Sequence, residues 1–445
     1  MAPHQSRSSH SKIGCCTGPL DRRNFLKVGI VSGLGLTLGD YFQLQAAQAD
    51  EQAPKKAAAA ESVIFIFMAG GMSHMDTFDP KPYMPIEYRG ELGTVKTKNQ
   101  DVFSGQLQRL AKISDKFSVI RSMTHGEAAH ERGTHNMLTG YRPSAAVQYP
   151  SYGSVVAHEF GPRNDLPPYI TIPNSGDKYF GTGYLSSAYG PFSVGGEPSA
   201  ADFKVRDLNL SAGITPERME KRKNLLADVD HHFSELESSD LLSAMDSYYQ
   251  RAYSLISSQK AREAFDMTGE PDAIKDEYGR TPFGQRLLLS RRLVEAGARF
   301  VTVIDGGWDN HEKIRDAMRG KLPPVDQGIA TLLTDLDRRG LLEKTMVVVS
   351  TEFGRTVKIN TDGGRDHWPK AFSVMLAGGG ITGGQIYGKT DARGAEPAED
   401  PVTPEDLAST IYTQLGINPG HELMSPGDRP IEIVKDGSPL YNLIT

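Results

Sequence analysis

Ser62-Val63-Ile64-Phe65-Ile66-Phe67-Met68-Ala69-Gly70-Gly71 is an unbroken apolar run, β-branched and aromatic, closed by paired glycines. A run of this kind fits a strand buried on both faces, as in a parallel sheet. Similar runs stand at Phe117–Ile120, Tyr169–Ile172, Phe300–Ile304, Met346–Ser350 and Phe372–Leu376. Helical spacing falls between several of them: Gly284–Ala296, Val325–Arg339, and a segment opened by Thr403-Pro404-Glu405-Asp406 with a cap residue and an N-terminal proline. Alternating strands and helices predict an α/β fold, a doubly wound, mostly parallel sheet with helices on both faces. Residues 215–268 are charge-rich and read as a helical insertion. The α/β domain is expected over 62–435, with 436–445 as a tail.

At 445 residues the chain has room for a large core. Its net charge of −6 argues against a nucleic-acid binder. Both cysteines, Cys15 and Cys16, lie near the start, which excludes a disulfide framework and a cysteine-built metal site in the body.

Asp21-Arg22-Arg23-Asn24-Phe25-Leu26-Lys27, the weakly apolar run Val28–Leu38 and Ala47-Gln48-Ala49 resemble a twin-arginine export signal over residues 1–49. The run is too short to span a bilayer. Residues 50–61 read as a linker. Export implies passage through the twin-arginine translocase and a periplasmic or extracellular mature protein. Cleavage after Ala49 removes five basic and two acidic residues, so the charge moves from −6 to −9, and both cysteines leave with the signal.

In open α/β sheets, ligands bind beyond the carboxyl ends of the strands. Four polar groups follow apolar runs. After the first come Gly70-Gly71 and His74-Met75-Asp76, where Asp76 or His74 is a metal ligand or Asp76 is the cap of a tight turn. After Phe117–Ile120 comes a segment with His125, Glu127, His130, Glu131, Thr134 and His135, dense in imidazole for a chain with 12 His. After Phe300–Ile304 comes Asp305-Gly306-Gly307-Trp308-Asp309-Asn310-His311, whose carboxylates and imidazole suit zinc or manganese. After Met346–Ser350 come Glu352, Arg355, Arg365, Asp366 and His367, the arginines offering forks for an oxyanion.

FMAGGMSHMDTFDPKP (67–82), THNMLTGYRPS (134–144), DGGWDNH (305–311), STEFGRT (350–356), GGRDHW (363–368) and TPEDLASTIYTQLGI (403–417) resemble the Domain of Unknown Function 1501 family, exported bacterial proteins. That family is similar in fold to the alkaline phosphatase and sulfatase superfamily, which hydrolyses phosphate or sulfate esters with bound metals. The resemblance implies metal ligands at Asp76, Asp305 or Asp309, His311, Glu352, Asp366 and His367, holding zinc, manganese, calcium or magnesium. Counting back nine from Thr139-Gly140, where sulfatases place their nucleophile, reaches His130, not a hydroxyl or thiol. A mature chain without cysteine also cannot make formylglycine from it.

These observations predict an exported metal-dependent hydrolase of phosphate or sulfate esters, or related anionic groups, with a small-molecule or polysaccharide-borne substrate. His130, Thr134 and His135 are the catalytic candidates, and Arg355 and Arg365 the anion-binding ones. Attack falls to water, His130 or Thr134. The alternative is a non-catalytic glycan- or anion-binding protein on a degenerate hydrolase scaffold. A third is a structural role using residues 215–268 as a partner surface.

Overall fold

The computed structural model describes residues 58–205 and 258–444, with the isolated positions 218, 221 and 255 between them. The expected export signal, most of the linker and most of the helical insertion lie outside the described residues.

All six apolar runs are strands of one eight-stranded sheet. In chain order these are β1 (Ser62–Met68), β2 (Phe117–Met123), β3 (Tyr169–Ile172), β4 (Phe192–Ser193), β5 (Phe300–Asp305), β6 (Thr345–Ser350), β7 (Phe372–Ala377) and β8 (Ile386–Tyr387). Across the sheet the order is β8-β2-β7-β6-β1-β5-β3-β4. Only β7 runs against the rest: it pairs antiparallel with β6 and β2, while β1 pairs parallel with β5 and β6. The two-residue edge strands β4 and β8 are too short to show a periodic pattern.

β1 is central and buried at all seven positions. Its side chains alternate between two cores, Ile64, Ile66 and Met68 in one and Val63, Phe65 and Phe67 in the other. The helices later called α1 to α5 are His130–Thr139, Tyr152–Phe160, Pro282–Glu295, Ile314–Arg338 and Pro404–Gln414. α3 and α4 close the first core through residues such as Leu288 and Ile329, and α2 and α5 close the second through Val156 and Ile411. The expected α/β architecture, with helices on both faces, is the observed one. Thr403 caps α5 in a reciprocal box with Asp406.

α4 corrects one boundary. It starts at Ile314, eleven residues before the expected start, and passes through Pro323 and Pro324. Proline normally ends a helix, but Ile314, Met318, Leu322, Val325 and Ile329 form one continuous buried stripe. Burial of that stripe outweighs the lost backbone hydrogen bonds.

The domain edges also move. Ala60 is buried, and the Ala59 and Ala60 amides donate to the Gln414 carbonyl. At the other end Leu440, Leu443 and Ile444 join the second core. The α/β body therefore includes the end of the expected linker and the expected tail. No helix of the described residues is long and apolar enough to cross a membrane.

The Phe65 ring lies among Phe67, Tyr152 and Phe300, with centroids 5.7–6.5 Å away. Phe65→Ala should cost about 3–5 kcal/mol of unfolding free energy, measured by urea denaturation, and a loss below about 1 kcal/mol would contradict this packing.

Candidate metal centre

Because β5, β1 and β6 are adjacent and parallel, with Met68 opposite Asp305 and Phe67 opposite Ser350, their carboxyl ends deliver three loops to one place. The β1 exit contributes backbone. Gly70 has φ +123°, and a Cβ there would sit 2.4–2.7 Å from backbone atoms of Trp308 and Asp309. Its amide donates to Glu352 Oε1 at 2.7 Å.

The β5 exit carries Asp309 and His311, and the β6 exit carries Glu352 and Arg355. Arg355 pairs with His367 in a two-residue antiparallel ladder. His130 is the first residue of α1, which can approach closely because a Cβ at Gly133 would already meet Phe353 and Glu352 at 3.0–3.3 Å.

Four groups converge. Asp309 Oδ1 lies 3.0 Å from His311 Nε2 and 3.1 Å from His367 Nε2, and Oδ2 lies 3.4 Å from His130 Nε2. His311 Nε2 and His367 Nε2 are 3.1 Å apart. The other nitrogen of each ring is already taken. His130 Nδ1 meets Glu352 Oε1 at 2.7 Å, His311 Nδ1 meets Asp366 Oδ1 at 2.8 Å, and His367 Nδ1 meets the Ala128 carbonyl at 2.8 Å.

A carbonyl or carboxylate only accepts, so these partners place the proton of each neutral ring on Nδ1 and leave a lone pair on Nε2. Lone pairs of three imidazoles and a carboxylate thus face one another. His130 Nε2 is buried without a hydrogen-bond partner. His130, Asp309 and His367 each offer an atom within 4.8 Å of the other two. The donor set fits a divalent ion, with the outer partners that orient metal-binding histidines.

Burial alone would raise the pKa of Asp309, but the hydrogen bond from Arg355 and its charge hold it far below the carboxylate range. The hydrogen bond to Glu352 raises the pKa of His130. The contact of His130⁺ with Glu352 therefore stabilises the ion-free fold at low pH, and that stabilisation is lost as pH rises through the raised value.

The expected site residues divide into three groups. Asp309, His311, His367 and His130 converge, with His130 standing among the ligands. Glu352 and Asp366 stand one layer out and hold imidazoles, because their oxygens already accept from His130, Gly70, Thr351 and His311. Arg355 holds Asp309 through a 2.5 Å hydrogen bond.

The remaining candidates stand apart from these convergent groups. Asp76 is buried against Arg365, with Oδ2 2.7 Å from Nε, and also accepts from Ser73. Asp305 accepts from the Trp308 indole and Arg286, and burial raises its pKa. His135 packs edge-on to Tyr149 and Tyr179, and burial lowers its pKa. Thr134 is buried in α1, one turn beyond His130.

Sequence reasoning missed His125, whose Nε2 is 2.7 Å from the Glu352 carbonyl, and Phe353, whose ring lies against both His130 and His367. His125 stands in the imidazole-dense segment, so its signal was present. Phe353 had none beyond its position after Glu352.

Asp76→Ala leaves a buried guanidinium unpaired and should cost about 3–5 kcal/mol of stability while metal stoichiometry stays unchanged. Loss of metal without loss of stability would return Asp76 to the ligand set.

No curated protein matches the sequence. Among solved structures, the phosphonate monoester hydrolase SpPMH from Silicibacter pomeroyi aligns at 12% identity and TM-score 0.36, covering 86% of this chain and 76% of that one. The lipoteichoic acid synthase LtaP from Listeria monocytogenes aligns at 11% and 0.35, covering 85% and 76%. The alkaline phosphatase from the Antarctic bacterium TAB5 aligns at 13% and 0.32, covering 75% and 96%. The model of the family described as Protein of unknown function (DUF1501) matches residues 60–444, and the chain belongs to that family.

Proposed function

We propose that the protein is an exported, metal-dependent hydrolase of phosphate or sulfate esters or related anionic groups. The observation that carries this is the convergence of the His130, His311 and His367 Nε2 lone pairs on Asp309, with every Nδ1 committed elsewhere. In this reading His130, Asp309 and His367 hold the ion, with His311 beside them. A bound divalent ion would supply Lewis acidity towards an ester oxygen. The chain's own groups set its position: Glu352 fixes the His130 tautomer, Asp366 that of His311, the Ala128 carbonyl that of His367, and Arg355 the Asp309 rotamer.

With His130 among the ligands and Thr134 buried one turn along α1, water is the attacking group in this reading. The export part of the proposal rests on residues 21–49 of the sequence.

An imidazole, His130, at the position where sulfatases place a hydroxyl or thiol favours, as a second reading, a binding protein for a glycan or anion on a hydrolase scaffold. Elemental analysis of the exported protein, with assays of aryl phosphate, phosphodiester and sulfate esters, separates the two. The hydrolase reading expects one bound divalent ion per chain, lost in His130→Ala and His367→Ala together with turnover. A bound ion without turnover favours the binding protein, and no ion defeats the metal reading. Protons compete for the Nε2 lone pairs, so metal affinity measured by titration should fall as pH drops through the raised His130 value. A pH-independent affinity would contradict imidazole ligation.

A further inference from the structure

The two arginines expected to grip an oxyanion are not free to do so. Arg365 is fully buried. Its Nε binds Asp76 at 2.7 Å, Nη1 the carbonyls of Thr356 and Val357 at 3.0 and 2.5 Å, and Nη2 the Tyr88 carbonyl at 2.6 Å. Arg355 is equally buried. It gives Nε to the Gly71 carbonyl at 2.9 Å, Nη1 to the Arg365 carbonyl at 3.0 Å, and Nη2 to the Gly70 carbonyl and Asp309. Turning either fork to a ligand would strand buried carbonyls, each a costly loss.

Of the other cations near the loops, the two arginines are also directed elsewhere. Arg132 pairs with Glu127, and Arg315 with Glu91 and Asp316. Lys313 and Lys358 are exposed. Among the described residues, Arg355 is the lysine or arginine that pairs with the convergent groups.

The local charge balance follows. Three carboxylates, Asp309, Glu352 and Asp366, face one guanidinium, Arg355. A single divalent ion brings this set to neutrality, leaving no net positive charge for a ligand. A dianion would add two uncompensated charges beside these three carboxylates, and a monoanion one. The acidic chain as a whole adds to the bias.

We infer that the centre takes a singly charged ester anion, a phosphodiester or a sulfate monoester, in preference to the dianion of a phosphate monoester. This rests on the hydrolase reading above and narrows its substrate class.

The test uses the metal-loaded protein at pH 8, where a phosphate monoester is a dianion. The kcat/KM for bis(p-nitrophenyl) phosphate should exceed that for p-nitrophenyl phosphate by roughly 100-fold, the scale on which one missing charge partner is felt at a transition state. Dimethyl phosphate should raise the thermal midpoint more than inorganic phosphate does, which reads the charge preference without turnover. Asp366→Asn keeps an acceptor for His311 Nδ1 while removing one negative charge, and should shift the kcat/KM ratio several-fold towards the monoester. Equal or better use of the monoester, with stronger stabilisation by inorganic phosphate, overturns the inference and leaves the hydrolase reading standing. No turnover of either ester overturns the hydrolase reading itself, and the thermal-shift comparison then still decides the charge preference.

Discussion

The centre depends on one backbone constraint, the glycine exit of the central strand. Gly70 donates its amide to Glu352, gives its carbonyl to Arg355, and has no room for a Cβ against Trp308 and Asp309. Through these contacts it sets Glu352, and so the His130 tautomer, and it sets Arg355, and so the Asp309 carboxylate. Three loops from three adjacent strands are thus registered by a residue without a side chain. Sheet order makes this possible, because β1 lies between β5 and β6 and all three point the same way.

This arrangement separates what holds the centre from what would act in it. Most of the polar residues near the strand ends are buried supports. Arg355, Arg365, Asp76 and Glu352 are all at most 3% exposed, each in hydrogen bonds with carbonyls, amides or an opposite charge. Buried charges need such partners, since an unpaired one carries a large desolvation cost. The exposed edge is left to Asp309, His311 and Asp366, where a ligand would arrive.

Much of this was legible in the sequence. The six apolar runs identified the strands because burial on both faces leaves an uninterrupted apolar signature. Asp309, His311 and His367 stood out because acids and imidazoles cluster after the strands that carry them, and the structure brings the three together. The sequence did not show direction in space. Asp76 and Arg365 carry the right chemistry in the right loops, but they turn towards each other in the interior. Glu352 carries the right acid, but faces the far nitrogen of His130. The start of α4 was hidden by Pro323-Pro324, since local propensity said stop while the buried stripe continued. Tautomers and outer partners are properties of the assembled structure, with no local signal.

The most direct measurement is anomalous-difference diffraction from crystals of the exported protein, recorded on either side of a transition-metal absorption edge. One peak is expected within bonding distance of His130 Nε2, His367 Nε2 and an Asp309 oxygen, with Glu352 and Asp366 outside it. A featureless map at that position, with the Nε2 atoms hydrogen-bonded to water or to Asp309 alone, would contradict it.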